Sequence, residues 1–215
     1  MLRESMGYPS TECKLCECLG ACKPQIEPYF QQGNELRFMI VGQDPAIYDK
    51  PNRVKVVLML DQPNSQLSRW LRGMISKDKF DKLTLYATNT VKCLLNKPPS
   101  SDKKDGLKIL RPYFKNCKRY LIEEITLFKP DYLITLGEPA HILFLDICQE
   151  KKMIKRSMKD AFTGDFINVN VNGTKFKYSP CLHISTYRVA DTYGKRIDLY
   201  KEQLSAIVNT EKKVY

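Results

Sequence analysis

The sequence predicts an α/β fold in which helices cover both faces of a parallel sheet. Short apolar runs that end at glycine or at a polar residue recur along the chain, and patterns typical of helices separate them. The length of 215 residues and the apolar content of 43% allow one substantial core. We therefore expect a single domain over residues 1–215, with a cysteine-rich segment at residues 1–26.

The strands and helices alternate in this prediction. The first strand is expected at residues 36–41, because an apolar run followed by Gly42 is typical of a buried parallel strand that feeds a functional loop. Similar runs predict strands at residues 83–88 and 131–136. In such a sheet, ligand sites lie at the carboxyl ends of the strands. Helical patterns occupy residues 65–76, 108–128 and 138–148.

The last third of the chain predicts a hairpin. Residues 166–171 and 175–178 flank Asn172-Gly173, a dipeptide that strongly favours a two-residue hairpin turn. The second of these strands is expected to continue to residue 182 and to bring His183 to the sheet edge. A closing helix is predicted at residues 190–208.

The charge of the chain favours nucleic acid as a partner. Thirty-five Lys and Arg residues against 24 Asp and Glu leave a formal charge of +11, which attracts polyanions. No run approaches the roughly 18 consecutive apolar residues that cross a bilayer, and the first residues lack the apolar centre of a signal peptide. We expect a monomeric cytoplasmic protein, associated with the nucleoid in a prokaryote, that has no membrane partner.

Eight cysteines in an intracellular chain favour metal ligation over disulfides. Cys13 and Cys16 form a C-x2-C pair, which lets one turn present two thiolates to a metal, and Cys93 and Cys117 are best placed to add two more. Both zinc and an iron–sulfur cluster accept four thiolates, so the spacing does not choose the metal. The alternative is a local zinc knuckle made by Cys13, Cys16, Cys18 and Cys22.

Three further residues are expected to be structural. Cys148 and Cys181 fall in apolar runs, where a buried thiol is the simplest reading. His141 lies inside a helical pattern and is expected to be a core histidine with satisfied hydrogen bonds.

Motifs at the strand ends resemble those of the uracil-DNA glycosylase superfamily, and the cysteines resemble those of its iron–sulfur-containing family 4 and relatives. The resemblance implies a three-layer α/β/α sandwich around a mainly parallel four-stranded central sheet. It also implies a 4Fe-4S cluster held by Cys13, Cys16, Cys93 and Cys117, with a structural role. The motifs occur in order as Cys13-x2-Cys16, Gly42-Gln43-Asp44-Pro45, Thr88-Asn89-x-Val91-Lys92-Cys93, Cys117, a Lys-Pro-Asp-Tyr-Leu-Ile-Thr-Leu-Gly run at residues 129–137, and His183-x-Ser185.

The resemblance implies DNA repair by base excision. The enzyme flips uracil out of the DNA stack and hydrolyses its N-glycosidic bond to leave an abasic site, without a catalytic lysine. Asp44 matches the acidic residue that orients water and offsets positive charge on the sugar, and Asp49 is the runner-up. His183 matches the histidine that stabilises negative charge on the departing uracil oxygen.

Other positions match residues that bind the base or the DNA. Asn89 matches the asparagine whose amide pairs with O4 and N3–H of uracil, and the backbone around Gln43 and Asp44 is suited to hold a uracil oxygen. Ala46 stands where family 1 has a tyrosine that excludes thymine, so Tyr48 is expected to take over that discrimination. The residues matching the loop that probes the duplex are Ser185, Tyr187 and Arg188.

One departure from the pattern of the family leaves a second function possible. The family usually stacks a phenylalanine on the flipped base, whereas this chain has Leu60, or its neighbour Leu58, at that position. The alternative is therefore a weak or inactive member of the fold that binds DNA or senses damage. A cysteine-based oxidoreductase using Cys13 and Cys16 is a third possibility, and the position of this pair before the first strand argues against it.

Overall fold

A six-stranded mixed sheet forms the centre of the computed structural model, with the strand order β1-β3-β2-β4-β6-β5. The model describes residues 5–10, 12–19, 26–45, 54–75, 77–95, 99, 106–183, 198, 201, 202, 204 and 205. The strands are β1 (Tyr29–Gln31), β2 (Arg37–Gly42), β3 (Thr84–Asn89), β4 (Tyr132–Leu136), β5 (Ile167–Val171) and β6 (Thr174–Cys181).

Helices connect these strands. Two short 3-10 segments add to them, at Glu17–Leu19 and Val57–Met59. The α-helices are α1 (Gln66–Ile75), α2 (Lys77–Phe80), α3 (Gly106–Phe128), α4 (Glu138–Leu145) and α5 (Met158–Ala161).

Four parallel strands make up the middle of the sheet, as the sequence predicts. Strand β2 pairs in parallel with both β3 and β4, and β4 pairs in parallel with β6. The sheet is wider than four strands because β1 and β5 add antiparallel edges next to β3 and β6. The chain leaves β2 toward β3 on one side and then crosses to β4 on the other. This reversal opens a crevice at the carboxyl end of β2, where ligands bind in such sheets.

Alternate residues of β2 point to opposite faces of the sheet and separate two apolar layers. Phe38 and Ile40 pack in the cluster that contains helices α1 and α2. Met39 and Val41 pack in the cluster formed with helices α3 and α4. This arrangement confirms the predicted three-layer α/β/α architecture.

The predicted hairpin is also present. Strands β5 and β6 are antiparallel, and Val171 pairs with Thr174 across the turn. Asn172 and Gly173 both have positive φ, 49° and 84°. A two-residue type I′ hairpin turn requires this conformation at both central residues. Of the predicted closing helix, the described positions 198, 201, 202, 204 and 205 are helical. Within the described part of the chain, no helix is both long and apolar enough to span a membrane.

Candidate functional site

The carboxyl ends of the four parallel strands bring three predicted functional residues to one edge of the sheet. Asn89 ends β3 and pairs in register with Gly42, the last residue of β2, so that Asp44 follows two residues beyond it. His183 follows β6, whose Cys181 pairs with Leu136 at the end of β4. With strands spaced about 4.8 Å apart, roughly 10 Å separate the ends of β2 and β6, which is room for one pyrimidine ring.

Asn89 is the most informative side chain of this edge. It is 2% exposed, and its Oδ1 atom has no hydrogen-bond partner among the described residues. An unsatisfied buried acceptor lowers the stability of a fold by about 1–3 kcal/mol. A ligand that places an N–H group against Oδ1 would remove this penalty. The buried Oδ1 atom is therefore a candidate acceptor for a ligand.

Gly42 makes room for that amide. A Cβ atom at this position would lie 2.3 Å from Oδ1 of Asn89 and 3.0 Å from Cδ2 of Leu58. Only glycine therefore allows the Asn89 side chain to lie across the end of β2. The same distances place Leu58 beside Asn89 at the site.

The backbone at Leu58 is strained. Leu58 and Met59 adopt φ values of 60° and 54°, a left-handed conformation that is unfavourable by about 1–3 kcal/mol for each such residue. Leu60 is 3% exposed and packs in the apolar cluster of α1 and α2. Of the two leucines considered from the sequence, Leu58 is the one that contacts the space around Gly42.

Hydrogen bonds join the loops that follow β2 and β3. The N–H groups of Thr90 and Val91 donate to the carbonyls of Gly42 and Gln43 at 2.8 and 2.9 Å. The Thr90 hydroxyl also donates to the Gln43 carbonyl at 2.6 Å. These hydrogen bonds hold together the segment that follows Asn89 and the segment that contains Gln43 and Asp44.

The Asp44 carboxylate is buried and held by its neighbour. Asp44 is 9% exposed, and the Gln43 side-chain amide donates to its Oδ1 atom at 2.7 Å. This hydrogen bond restricts the orientation of the carboxylate. The carboxylate can accept a proton from water or face a developing positive charge.

His183 lies next to the start of α4. A Cβ atom on Gly137 would be 3.2 Å from Cβ of His183, and the Gly137 N–H donates to the Cys181 carbonyl at 2.8 Å. Gly137 has a φ of 86°, which lets the chain turn sharply from β4 into the helix. Partial desolvation lowers the pKa of the His183 imidazole below its ordinary value. The ring is therefore neutral at physiological pH and can donate one N–H.

A buried ion pair joins the segment after β3 to helix α3. The Lys92 ammonium donates to the Glu124 carboxylate of α3, and both side chains are fully buried. The other carboxylate oxygen accepts from the hydroxyls of Tyr86 and Thr88 at 2.7 and 2.8 Å. Desolvation lowers the pKa of Lys92, and the attraction of Glu124 partly offsets that effect. Sequence reasoning missed this pair, because spacing gives no signal for two residues on different elements.

Three of the predicted metal ligands converge on α3. The thiols of Cys16, Cys93 and Cys117 lie near enough to shift one another's pKa, and the Asn116 amide donates to Cys16 Sγ at 3.4 Å. The contact with Cys117 and burial raise the pKa of Cys16 strongly. For Cys117, the interaction with Cys16 lowers the pKa, but the interaction with Cys93 and burial outweigh it and raise the pKa to about 11.

Cys13 lies on the same side of α3. Its Sγ is 3.5 Å from the hydroxyl of Tyr120, one turn after Cys117. Cys18 is exposed, which does not favour the local zinc knuckle. In the described segments, no three His, Cys, Asp or Glu side chains are already arranged around a single ion position. Thiols are nonetheless the ligands that an iron–sulfur cluster takes, so the chemistry of this set fits such a group.

The remaining residues predicted from the sequence divide into two groups. Cys148 and Cys181 are buried in the apolar layers, as expected for structural thiols. His141 is fully buried, and its Nδ1 and Nε2 atoms contact the Tyr178 hydroxyl at 2.6 Å and the Lys155 carbonyl at 2.8 Å, which confirms a satisfied core histidine. The predicted residues outside the described part of the chain are Ala46, Tyr48, Asp49, Ser185, Tyr187, Arg188 and Cys22.

Comparison with protein families identifies a match over most of the chain. Residues 30–205 match the family model described as the uracil DNA glycosylase superfamily, and this range contains every strand end described above. The match begins after Cys13 and Cys16, so it carries no information on the first two cysteines. A search of curated proteins finds no match to the chain.

Proposed function

The chain belongs to the uracil DNA glycosylase superfamily, and on that premise we propose that it hydrolyses the N-glycosidic bond of uracil in DNA. The buried, unpartnered Oδ1 of Asn89 carries this proposal. Uracil presents an N3–H donor beside the O4 acceptor, so an asparagine amide can pair with both. Cytosine presents the reverse pattern, which would set acceptor against acceptor at Oδ1.

The chemistry follows from the three side chains at the sheet edge. Asn89 binds the flipped base and fixes its orientation. Asp44, oriented by Gln43, positions a water molecule and faces the positive charge that develops on the sugar as the bond breaks. Neutral His183 donates an N–H to the uracil oxygen on which negative charge grows. Asp49 is the alternative carboxylate, and Tyr48 is proposed to discriminate against thymine.

DNA binding is proposed for the chain as a whole. The net charge of +11 favours the phosphate backbone, and Ser185, Tyr187 and Arg188 are proposed to occupy the duplex at the flipped base.

Uracil release tests the enzyme proposal. Oligonucleotides that carry one uracil, single-stranded and paired with guanine or adenine, are incubated with the protein and then cleaved with alkali. We expect strand cleavage with the parent protein and a loss of at least about 100-fold for Asn89→Ala and for Asp44→Asn. Cys148→Ala serves as the control, since this thiol lies in the core away from the strand ends. Intact strands for all substrates would refute the proposal.

Leu58 favours one alternative. An aliphatic side chain beside Asn89 gives the base apolar packing without the directional stacking of an aromatic ring. The alternative is a member of the fold that binds DNA and senses damage. It predicts salt-dependent binding to uracil-containing DNA with no base release, and Asn89→Ala would then weaken binding only.

We also propose that Cys13, Cys16, Cys93 and Cys117 hold a 4Fe-4S cluster, with zinc as the alternative. The proximity of three of these thiols and the contact of Cys13 with Tyr120, one turn after Cys117, support this set. When bound, the cluster would join the N-terminal segment to β3 and α3. Anaerobically purified protein should show a broad visible absorption band that Cys117→Ala removes and Cys148→Ala retains. Stoichiometric zinc without that band would select the alternative.

A further inference from the structure

A second concave surface lies outside the strand-end site, between helices α3 and α4 and the loop that precedes α5. This groove has a volume of about 690 Å³. Its apolar part consists of Leu107, Pro112 and Ile142. None of these residues takes part in the chemistry proposed above.

Four cationic side chains border the apolar part. Lys108, Arg111 and Lys115 follow one another at helical spacing and share one face of α3, and Arg156 joins them from the loop. Like charges at this spacing destabilise a helix slightly. Arg111 pairs with Asp146 at 3.1 Å, and both side chains are partly exposed, so this pair adds little stability. With Lys115 and Arg156 beside this pair, the groove carries a local excess of positive charge.

The loop that carries Arg156 is anchored. The Lys155 carbonyl contacts Nε2 of the buried His141, whose Nδ1 contacts the hydroxyl of Tyr178 in β6. Because the backbone next to Arg156 is fixed to the core, a ligand would not have to order this side of the groove. Such preorganisation lowers the free-energy cost of binding.

The composition of the groove distinguishes between anionic partners. Single-stranded nucleic acid binds where bases stack on aromatic rings. None of the described residues that line this groove is aromatic. Phosphate groups alone would leave Leu107, Pro112 and Ile142 without a complementary surface. An acidic peptide with apolar side chains complements both the cationic border and the apolar floor.

We propose that this groove binds a short acidic segment of a partner protein. Its aliphatic or aromatic side chains lie on Leu107, Pro112 and Ile142, and its Asp and Glu residues pair with the surrounding cations. The groove is thus a recruitment site that is separate from the site proposed for uracil.

A titration with a labelled peptide tests this proposal. The probe is a fluorescein-labelled peptide in which Asp and Glu alternate with Leu and Phe, and binding to the full chain is followed by anisotropy. We expect Lys108→Glu/Lys115→Glu to weaken binding by about tenfold or more, because two attractions become repulsions. The matched control is Lys118→Glu/Lys175→Glu, which changes the net charge equally at exposed sites outside the groove and should bind within about twofold of the parent.

Two competitors separate the peptide from a general polyanion. A peptide in which Ser replaces Leu and Phe should compete about tenfold less well, since it loses the apolar contacts. Oligothymidine, which contains no uracil, should displace the labelled peptide only weakly. Its effect should be the same on the parent and on Lys108→Glu/Lys115→Glu. Equal competition by the serine peptide, or equal affinity of the groove and control variants, would overturn the proposal. Neither result depends on uracil release, so the two proposals fail independently.

Discussion

Replacing Lys92 by methionine should destabilise the protein more than removing both charges of its ion pair. In Lys92→Met the Glu124 carboxylate remains fully buried without a cation. Breaking a buried pair in this way costs about 3–5 kcal/mol. The hydroxyls of Tyr86 and Thr88 still donate to the carboxylate at 2.7 and 2.8 Å, so we expect a value near the lower end, about 3 kcal/mol. For a chain of this size, that corresponds to a fall in Tm of about 6–12 °C.

The double variant Lys92→Met/Glu124→Gln isolates the charge effect. The glutamine carbonyl oxygen still accepts from both hydroxyls, and neither charge of the pair remains. We expect its free energy of unfolding to lie within about 1 kcal/mol of the parent. Both variants carry the same change next to Cys93, so any effect on the proposed cluster cancels between them.

Urea denaturation at neutral pH measures the difference. The midpoint should fall for Lys92→Met and largely recover in the double variant, with an unchanged dependence on denaturant concentration. Equal midpoints for the two variants would refute the reasoning, because they would show that the uncompensated charge of Glu124 has no energetic consequence.

Three further predictions concern the site, the core histidine and the thiols. Gly42→Ala should reduce uracil release by at least about 100-fold, because its Cβ would displace the Asn89 amide, whereas Gly73→Ala, at a helix position with open space, should leave it unchanged in the same alkali assay. Burial lowers the pKa of His141, so the stability this group contributes is complete above pH 6.5 and declines as the pH falls below it; urea midpoints should show this slope, and His141→Gln should reduce it. Cys16→Ala should abolish the visible absorption band, and Cys18→Ala, at an exposed thiol, should retain it; loss of bound metal in Cys18→Ala, with metal retained in Cys93→Ala, would favour the local knuckle.

The central strands and the hairpin could be predicted because their signals are local. An apolar run that ends at Gly42 and the dipeptide Asn172-Gly173 each specify a conformation with little help from the rest of the chain. Strand β1 could not be predicted in this way. It is only three residues long, and it forms because Tyr29 to Gln31 pair with the already buried β3.

The sequence predicts which residues meet at the site, but it does not predict the contacts that hold them in place. Asp44, Asn89 and His183 follow strands, and the parallel sheet brings strand ends to one edge. The positive φ of Leu58 depends on what surrounds it, and a propensity argument gives no reason to expect it. Lys92 and Glu124 meet only because α3 packs against β3, a contact between elements that the sequence does not record.

The segment from Thr88 to Cys93 contacts three neighbouring parts of the molecule. Asn89 lies over Gly42, Thr90 and Val91 donate hydrogen bonds to Gly42 and Gln43, and Lys92 and Cys93 lie near the Glu124 carboxylate and the Cys117 thiol of α3. Loops next to active sites commonly tolerate insertions and deletions. Here one residue more or fewer would separate the Asn89 amide from the buried Lys92, so the number of residues in this segment matters as much as their identity.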